Sequence, residues 1–257
     1  MGYPVVRFTQ HAIFRLLYLL FFCSSIESVS ASSLPTLTIV TELSPPNQTF
    51  NNGKVEGTST ELVKLILQRA HLQAEYYIYP WARAFKVASK KPNTLIYSMA
   101  KTPQRERNFH WIGPVARFEL GFVTNKYRYD VVINSLEDAK KYRLAVQRGD
   151  IAAVELKKLG FDYVLTADIE RSYKLLITNK VDLVLDDPRY LQSMANTLNV
   201  PIDHFRFLYS VSALSVNGYL AANIDTSTDI IKRLRVAFTN VERTQTYKNV
   251  ILGSHTP

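Results

Sequence analysis

From Leu37 onward, short apolar runs alternate with stretches of helical period, and Pro or Gly falls between them. This is the rhythm of an α/β chain. Leu37 to Leu43 reads as a buried strand. Pro45-Pro46 then imposes extended backbone, and Asn51-Asn52-Gly53 reads as a hairpin turn. Ser59 or Thr60 is the expected cap of a helix reaching about His71, with Leu62, Leu65, Ile66 and Arg69 at i, i+3, i+4 and i+7. Ala74 to Tyr79 is expected as a strand, Trp81 to Ser89 as a helix and Leu95 to Ser98 as a strand. Trp111 to Thr124 is expected to be extended, with a break at Gly113-Pro114.

The stretch Asn125 to Asn134 is polar, and after it the rhythm restarts. The expected elements are strands at Tyr142–Val146, Tyr163–Leu165 and Val181–Asp186, with helices at Ile151–Leu159, Ile169–Thr178 and Arg189–Leu198. Connections this short suit parallel strands with crossover helices. Ser212 to Leu220 reads as a strand and Ser227 to Val241 as a helix, and the pattern alone leaves open which half they join. The expected division is one lobe of residues 32–124 plus 211–257 and a second of residues 125–210.

The residues before this pattern read as a secretory signal peptide. Arg7 supplies the positive region, Ile13 to Phe22 the apolar one, and Val29-Ser30-Ala31 the small residues before a cleavage expected after Ala31. The apolar stretch is about half of the roughly 20 residues that a bilayer-spanning helix needs. Cys23 is the single cysteine and lies inside this segment. A mature chain of about 225 residues would then have neither a disulfide nor a cysteine nucleophile, and would fold on burial alone. The formal net charge of +9 belongs almost wholly to that mature part. Its Lys and Arg residues are scattered, which argues against a nucleic-acid partner and suits solubility or an anionic surface.

Four local patterns carry the chemistry: Glu42-Leu-Ser-Pro-Pro46, Pro80-Trp81-Ala-Arg83, Thr102-Pro-Gln-Arg105 leading to Trp111-Ile-Gly-Pro114, and Val181-Asp182-Leu-Val-Leu-Asp186-Asp187. In this order they resemble the family 3 extracellular solute-binding proteins, which include periplasmic amino-acid receptors of ABC importers. The resemblance spans nearly all of the chain after the signal peptide. The Pro-Trp-x-Arg form resembles a subgroup whose members are often not typed as amino-acid receptors. The resemblance implies an α/β fold of the type II periplasmic-binding-protein kind. That fold is a two-lobed clamshell, each lobe a mixed sheet flanked by helices, with two crossover strands.

The same resemblance implies site residues. Arg105 matches an arginine that grips a ligand α-carboxylate in a bidentate fork, and Thr102 would add a hydroxyl; the competing role for Arg105 or its neighbour Arg107 is pairing with Glu106 or a surface acid. Trp81 is either a wall of the cleft or ordinary core. Arg83 points either to the ligand or to Glu42. Asp187, five residues after Asp182, matches an aspartate that receives a ligand ammonium, with Asp186 as its alternative; capping of the next helix is the competing role.

Two positions depart from the family pattern. Gln147-Arg148-Gly149-Asp150-Ile151 replaces a Gly-Ser/Thr carboxylate-binding turn, so a cleft-facing Asp150 is expected to disfavour free amino acids, basic and neutral ones included. Otherwise Asp150 only caps its helix, with Arg148 offsetting its charge. Asn47 stands where relatives carry an aromatic residue, leaving that wall missing or supplied by Tyr76, Tyr77 or Tyr79.

The chain has no nucleophile elbow, phosphate loop, dinucleotide fingerprint or His-Glu-x-x-His, and its histidines are dispersed. No enzyme activity, cofactor or metal is expected. The expected role is an exported, periplasmic binding protein that captures a small polar ligand for a membrane transporter. The alternatives are a periplasmic sensor that presents its closed form to a signalling partner, and a low-specificity, dehydratase-like enzyme using Glu42.

Overall fold

The computed structural model describes residues 1–2 and 34–252. The rest of the expected signal peptide, with Cys23, lies outside them. In the unit that begins at Pro35, the apolar runs become strands wherever helices cover both faces. β1 (Leu37–Thr41), β4 (Ala74–Ile78) and β5 (Thr94–Ala100) pair in parallel. On one face they pack under α1 (Thr58–Ala70), on the other under α2 (Trp81–Lys90). Between β1 and α1, β2 (Thr49–Asn51) and β3 (Lys54–Glu56) form the expected hairpin, its turn made by Asn52 and Gly53 at φ 48° and 77°.

After the short α3 (Pro103–Glu106), the strand β6 (Phe109–Asn125) runs 17 residues into the other half of the sheet. There α4 (Leu136–Ala139), β7 (Leu144–Gln147), α5 (Ile151–Lys158), β8 (Val164–Thr166), α6 (Ile169–Ile177) and β9 (Leu183–Asp186) follow. A 3₁₀ turn over Pro188–Tyr190 leads into α7 (Leu191–Thr197). β10 (Phe205–Asn223) then returns for 19 residues beside β6, and the chain ends in α8 (Thr228–Val241) and α9 (Gln245–Leu252).

The result is one eight-stranded mixed sheet in the order β4-β1-β5-β10-β6-β9-β7-β8. The antiparallel pair β6/β10 crosses between the two parallel halves. Each half has a core on both faces of its sheet. The α8 residues Ile230, Leu234 and Phe238 join the α1 core of the first half.

Several local expectations are corrected. β6 continues through Gly113-Pro114, but its register with β10 shifts on both sides of that pair, so the expected break is an irregularity within one strand; a β-carbon at Gly113 would lie 2.1 Å from the Phe238 ring. The glycine there lets a helix approach the strand. Pro114 forfeits no ladder bond on the far side, since β9 pairs β6 only at residues 121–123. α1 starts two or three residues earlier than a cap at Ser59 or Thr60 would place it and has no side-chain cap. The carbonyls of Pro46 and Asn47 take the amides of Thr58, Ser59 and Thr60 at 3.0–3.3 Å, which frees Thr60 to bond the Tyr97 hydroxyl at 2.7 Å. Its buried face is Leu62, Val63, Ile66, Leu67 and Ala70; Arg69 is exposed and Leu65 only half-buried. β10 begins seven residues before the expected Ser212, and α3, α4 and α9 were not anticipated.

Candidate functional site

Where the carboxyl ends of β1 and β5 face those of β7 and β9, the two halves enclose a cavity of about 80 Å³. This is the edge at which parallel α/β sheets bind ligands. The first half contributes Glu42, just past β1, Ser98 and Ala100 of β5, Trp81 at the start of α2, and Arg105. The second half contributes Gln147 at the end of β7, Asp150 and Ile151 at the start of α5, and Asp186 at the end of β9. The crossover pair supplies Phe118, Leu120 and Val216.

Polar contacts already run across the cavity. The Gly149 carbonyl accepts a bond from Trp81 Nε1 at 2.8 Å and another from Arg105 Nη2 at 3.1 Å. Gln147 Nε2 donates to Glu42 Oε2. Arg105 Nη1 donates to the Ala100 carbonyl at 3.0 Å, and the guanidinium lies 5.3 Å from the Trp81 ring centre and 5.4 Å from that of Phe85. Such stacking suits a weakly hydrated planar cation. Trp81 is 4% exposed and packs in the α2 core, so it serves as both core and cavity wall.

The acids of the cavity are held away from their ordinary ionisation. Loss of water, then the negative field of Asp150, pushes the Glu42 pKa up to about 8. Asp150 is itself raised by burial, although Ala152 N donates to its Oδ1 at 2.8 Å as the cap of α5. Burial lifts Asp186 to about 7, against the Tyr173 hydroxyl at 2.7 Å and the Asp187 amide at 2.8 Å, which favour its charged form. The positive field of Arg105 reaches Glu42 and Asp150, and burial lowers its own pKa. Arg148, expected to offset Asp150, is exposed.

Of the residues singled out in the sequence, Glu42, Trp81, Arg105 and Asp186 meet in this cavity. Arg83, Thr102 and Asp187 are not among its lining. Arg83 is exposed, 4.2 Å from the centre of the Tyr79 ring. Thr102 is the N-cap residue of α3, with no side-chain cap bond. Asp187 is fully buried and occupied: it caps the 3₁₀ turn through Arg189 N at 3.0 Å, accepts Glu119 N at 2.8 Å and pairs with the Arg189 guanidinium. Tyr76 packs against the α1 core, and Tyr77 and Tyr79 stack on each other at 6.0 Å, so none supplies the missing wall. Asn47 is buried and accepts the Thr58 hydroxyl at 3.0 Å.

Phe118, Ser98 and Gln147 were missed. Phe118 lies in the long strand whose facing no local pattern fixes. Ser98 has a left-handed φ of 59° within β5 and accepts a bond from Gln48; sparsely populated backbone of this kind in a non-glycine residue collects at functional sites. Ser98 and Gln147 had a readable signal, their places at the end of an expected strand and just after one.

Among solved structures, a histidine kinase sensor domain similar to periplasmic binding proteins superposes with a TM-score of 0.73, at 16% identity over 84% of this chain and 93% of that one. An ancestral arginine-binding protein bound to arginine gives 0.72, at 18% identity over 84% and 96%. An arginine third transport system periplasmic binding protein from Legionella pneumophila gives 0.71, at 20% identity over 84% and 98%. These likenesses establish an α/β fold of the type II periplasmic-binding-protein kind. No curated protein sequence matches the chain. The model of the bacterial extracellular solute-binding proteins, family 3, matches residues 37–251, and the chain belongs to that family.

Proposed function

We propose that this chain is an exported binding protein that captures a small, positively charged polar ligand in the cavity between its two halves and delivers it to a membrane transporter. The observation that carries the reading is convergence: Glu42 from one half and Asp150 and Asp186 from the other line one cavity, with Arg105 as the single basic residue in that lining. Asp150 taken alone argued against free amino acids. Together with Glu42 and Asp186 it argues for a ligand whose positive charge those acids neutralise. In this reading residues 1–31 are a cleaved signal peptide, and residues 32–124 with 211–257 close upon residues 125–210. Closure is a population shift, because a ligand touching both halves favours the closed state.

One similar structure, an ancestral arginine-binding protein, is bound to arginine. The test is titration calorimetry with organic cations, zwitterions and dicarboxylates. Cations are expected to bind and Glu42→Gln to weaken them at least tenfold; preferential binding of dicarboxylates overturns the reading. The sensor domain among the similar structures favours a second role for the same closure, presentation to a membrane signalling partner. Cross-linking in native membranes separates the two by whether a transporter or a kinase is captured.

A further inference from the structure

Hydrogen-bonding capacity at the cavity is lopsided. A ligand carboxylate needs donors, and the strongest ones present are engaged by the chain itself. Both terminal nitrogens of Arg105, the pair that would form an end-on fork, donate to the carbonyls of Ala100 and Gly149 at 3.0 and 3.1 Å. Trp81 Nε1 also donates to Gly149, and the Gln147 amide donates to Glu42. Asp150 fills the start of α5, where exposed amides would otherwise attract an anion. Acceptor capacity remains in the carboxylates of Glu42, Asp150 and Asp186, because a carboxylate has about four lone-pair sites and the chain supplies one or two donors to each. Leu120, Ile151, Ile169, Leu185 and Val216 give the remaining wall an aliphatic character.

We propose that the ligand is an aliphatic organic cation, an amine or guanidine, that carries no carboxylate, and that the Gly149 carbonyl enforces this by occupying Arg105 and Trp81. The inference rests on the reading of the cavity as the capture site and sharpens its ligand class. A carboxylate entering beside Arg105 has to displace the Gly149 carbonyl from two donors and face the acids around it. A decarboxylated ligand of the same length does neither. Its cationic end meets the acids and its methylenes the aliphatic wall.

Two pairs of probes differ by this one group: agmatine against arginine, and cadaverine against lysine. Titration calorimetry on the exported protein is expected to show each amine binding at least tenfold more tightly than its amino acid. Equal or tighter binding of the amino acids overturns the inference and leaves capture of cations standing. No binding of any of the four by protein shown to be folded by circular dichroism overturns both. A second measurement isolates Gly149. Trp81→Phe keeps an aromatic ring and removes one of the two bonds a carboxylate must displace. The preference for agmatine over arginine should narrow about threefold, the scale of one hydrogen bond. An unchanged preference overturns the role assigned to the Gly149 carbonyl.

Discussion

Asp182 and Asp186 stand at opposite ends of β9 and lead opposite lives. Asp182 is 6% exposed at the base of the second half, accepting Arg143 N, Nε and Nη2 at 2.9 Å and Arg128 Nη1 at 2.7 Å. These donors, Arg143 foremost, hold its carboxyl well below the usual range. Asp186 is similarly buried at 8% but faces the cavity, where a tyrosine hydroxyl and an amide are its partners, and it is lifted to about 7. One residue type with little exposed area in either place is thus a structural pin where arginines reach it, and a candidate receptor where it is more deeply desolvated and the fold withholds cations. A buried acid without a cation from its own chain is the better indicator of a ligand.

The comparison breaks most visibly at Asp182. Asp182→Ala removes the acceptor of four charge-assisted bonds, while Arg143 and Arg128 keep access to water, so it is expected to destabilise by about 1–3 kcal/mol, read by urea denaturation. Cation affinity measured on the folded fraction should not change. A stability loss below that range would make Asp182 no more of a pin than Asp186.

A pH titration sets the two sites against each other without mutation. Folding raises Glu42 from 4.5 to about 8 and Asp186 from 3.8 to about 7. Their contribution is therefore complete below the unfolded values and lost as pH rises through about 7 to 8. Asp182 has the opposite sign, its contribution being lost only as pH falls into the strongly acid range. The ligand-free protein should lose several degrees of melting temperature between about pH 5 and pH 8, roughly 2 kcal/mol, because opening of the cavity limits the penalty. A saturating organic cation should flatten this slope. A melting temperature that rises over the same interval refutes the placement of Glu42 and Asp186.

The conservative change at the cavity end comes next. Asp186→Asn keeps the shape and removes the charge. Stability at pH 8 should hold or improve, while affinity for a cation falls about tenfold, near 1.4 kcal/mol. Calorimetry and denaturation on the same variant check both halves of the statement.

How much of this was legible in the sequence differed with the range of the interaction. The α/β rhythm, the hairpin at Asn52-Gly53 and most strands follow from periodicity and turn chemistry, both local. The cap of α1 was misread because its true partners are main-chain carbonyls of Pro46 and Asn47, which carry no side-chain signature. The start of β10 was missed because Phe205 to Ser210 alternates apolar and polar residues only weakly, and is held extended by pairing with β6. At the site, Glu42, Trp81, Arg105 and Asp186 were named from motifs. Asp187 was preferred over Asp186 by spacing, yet Asp187 is occupied by Arg189 two residues on and by the Glu119 amide 68 positions away, and the second of these has no local signature. The occupation of Arg105 by Gly149 is likewise long-range, joining residues 44 positions apart.

The smallest effect separates cavity from base along one helix. Gly149 and Gly160 flank α5 with left-handed φ of 77° and 80°. A β-carbon at Gly149 would meet Trp81 Cδ1 at 3.5 Å, and one at Gly160 would meet Lys140 Nζ at 3.6 Å, both ordinary contacts. Steric crowding therefore cancels between Gly149→Ala and Gly160→Ala, and each carries a backbone penalty of about 1 kcal/mol. What differs is the carbonyl. Relief of strain at residue 149 rotates the peptide that Trp81 and Arg105 hold, whereas the carbonyl at residue 160 joins no contact between the halves. Equal shifts in urea midpoint are expected for the two variants, but only Gly149→Ala should make the ligand-free protein more extended in solution scattering. Equal scattering from the two would mean that the Gly149 contact contributes nothing to holding the halves together, and that closure rests on the Gln147–Glu42 bond and the ligand.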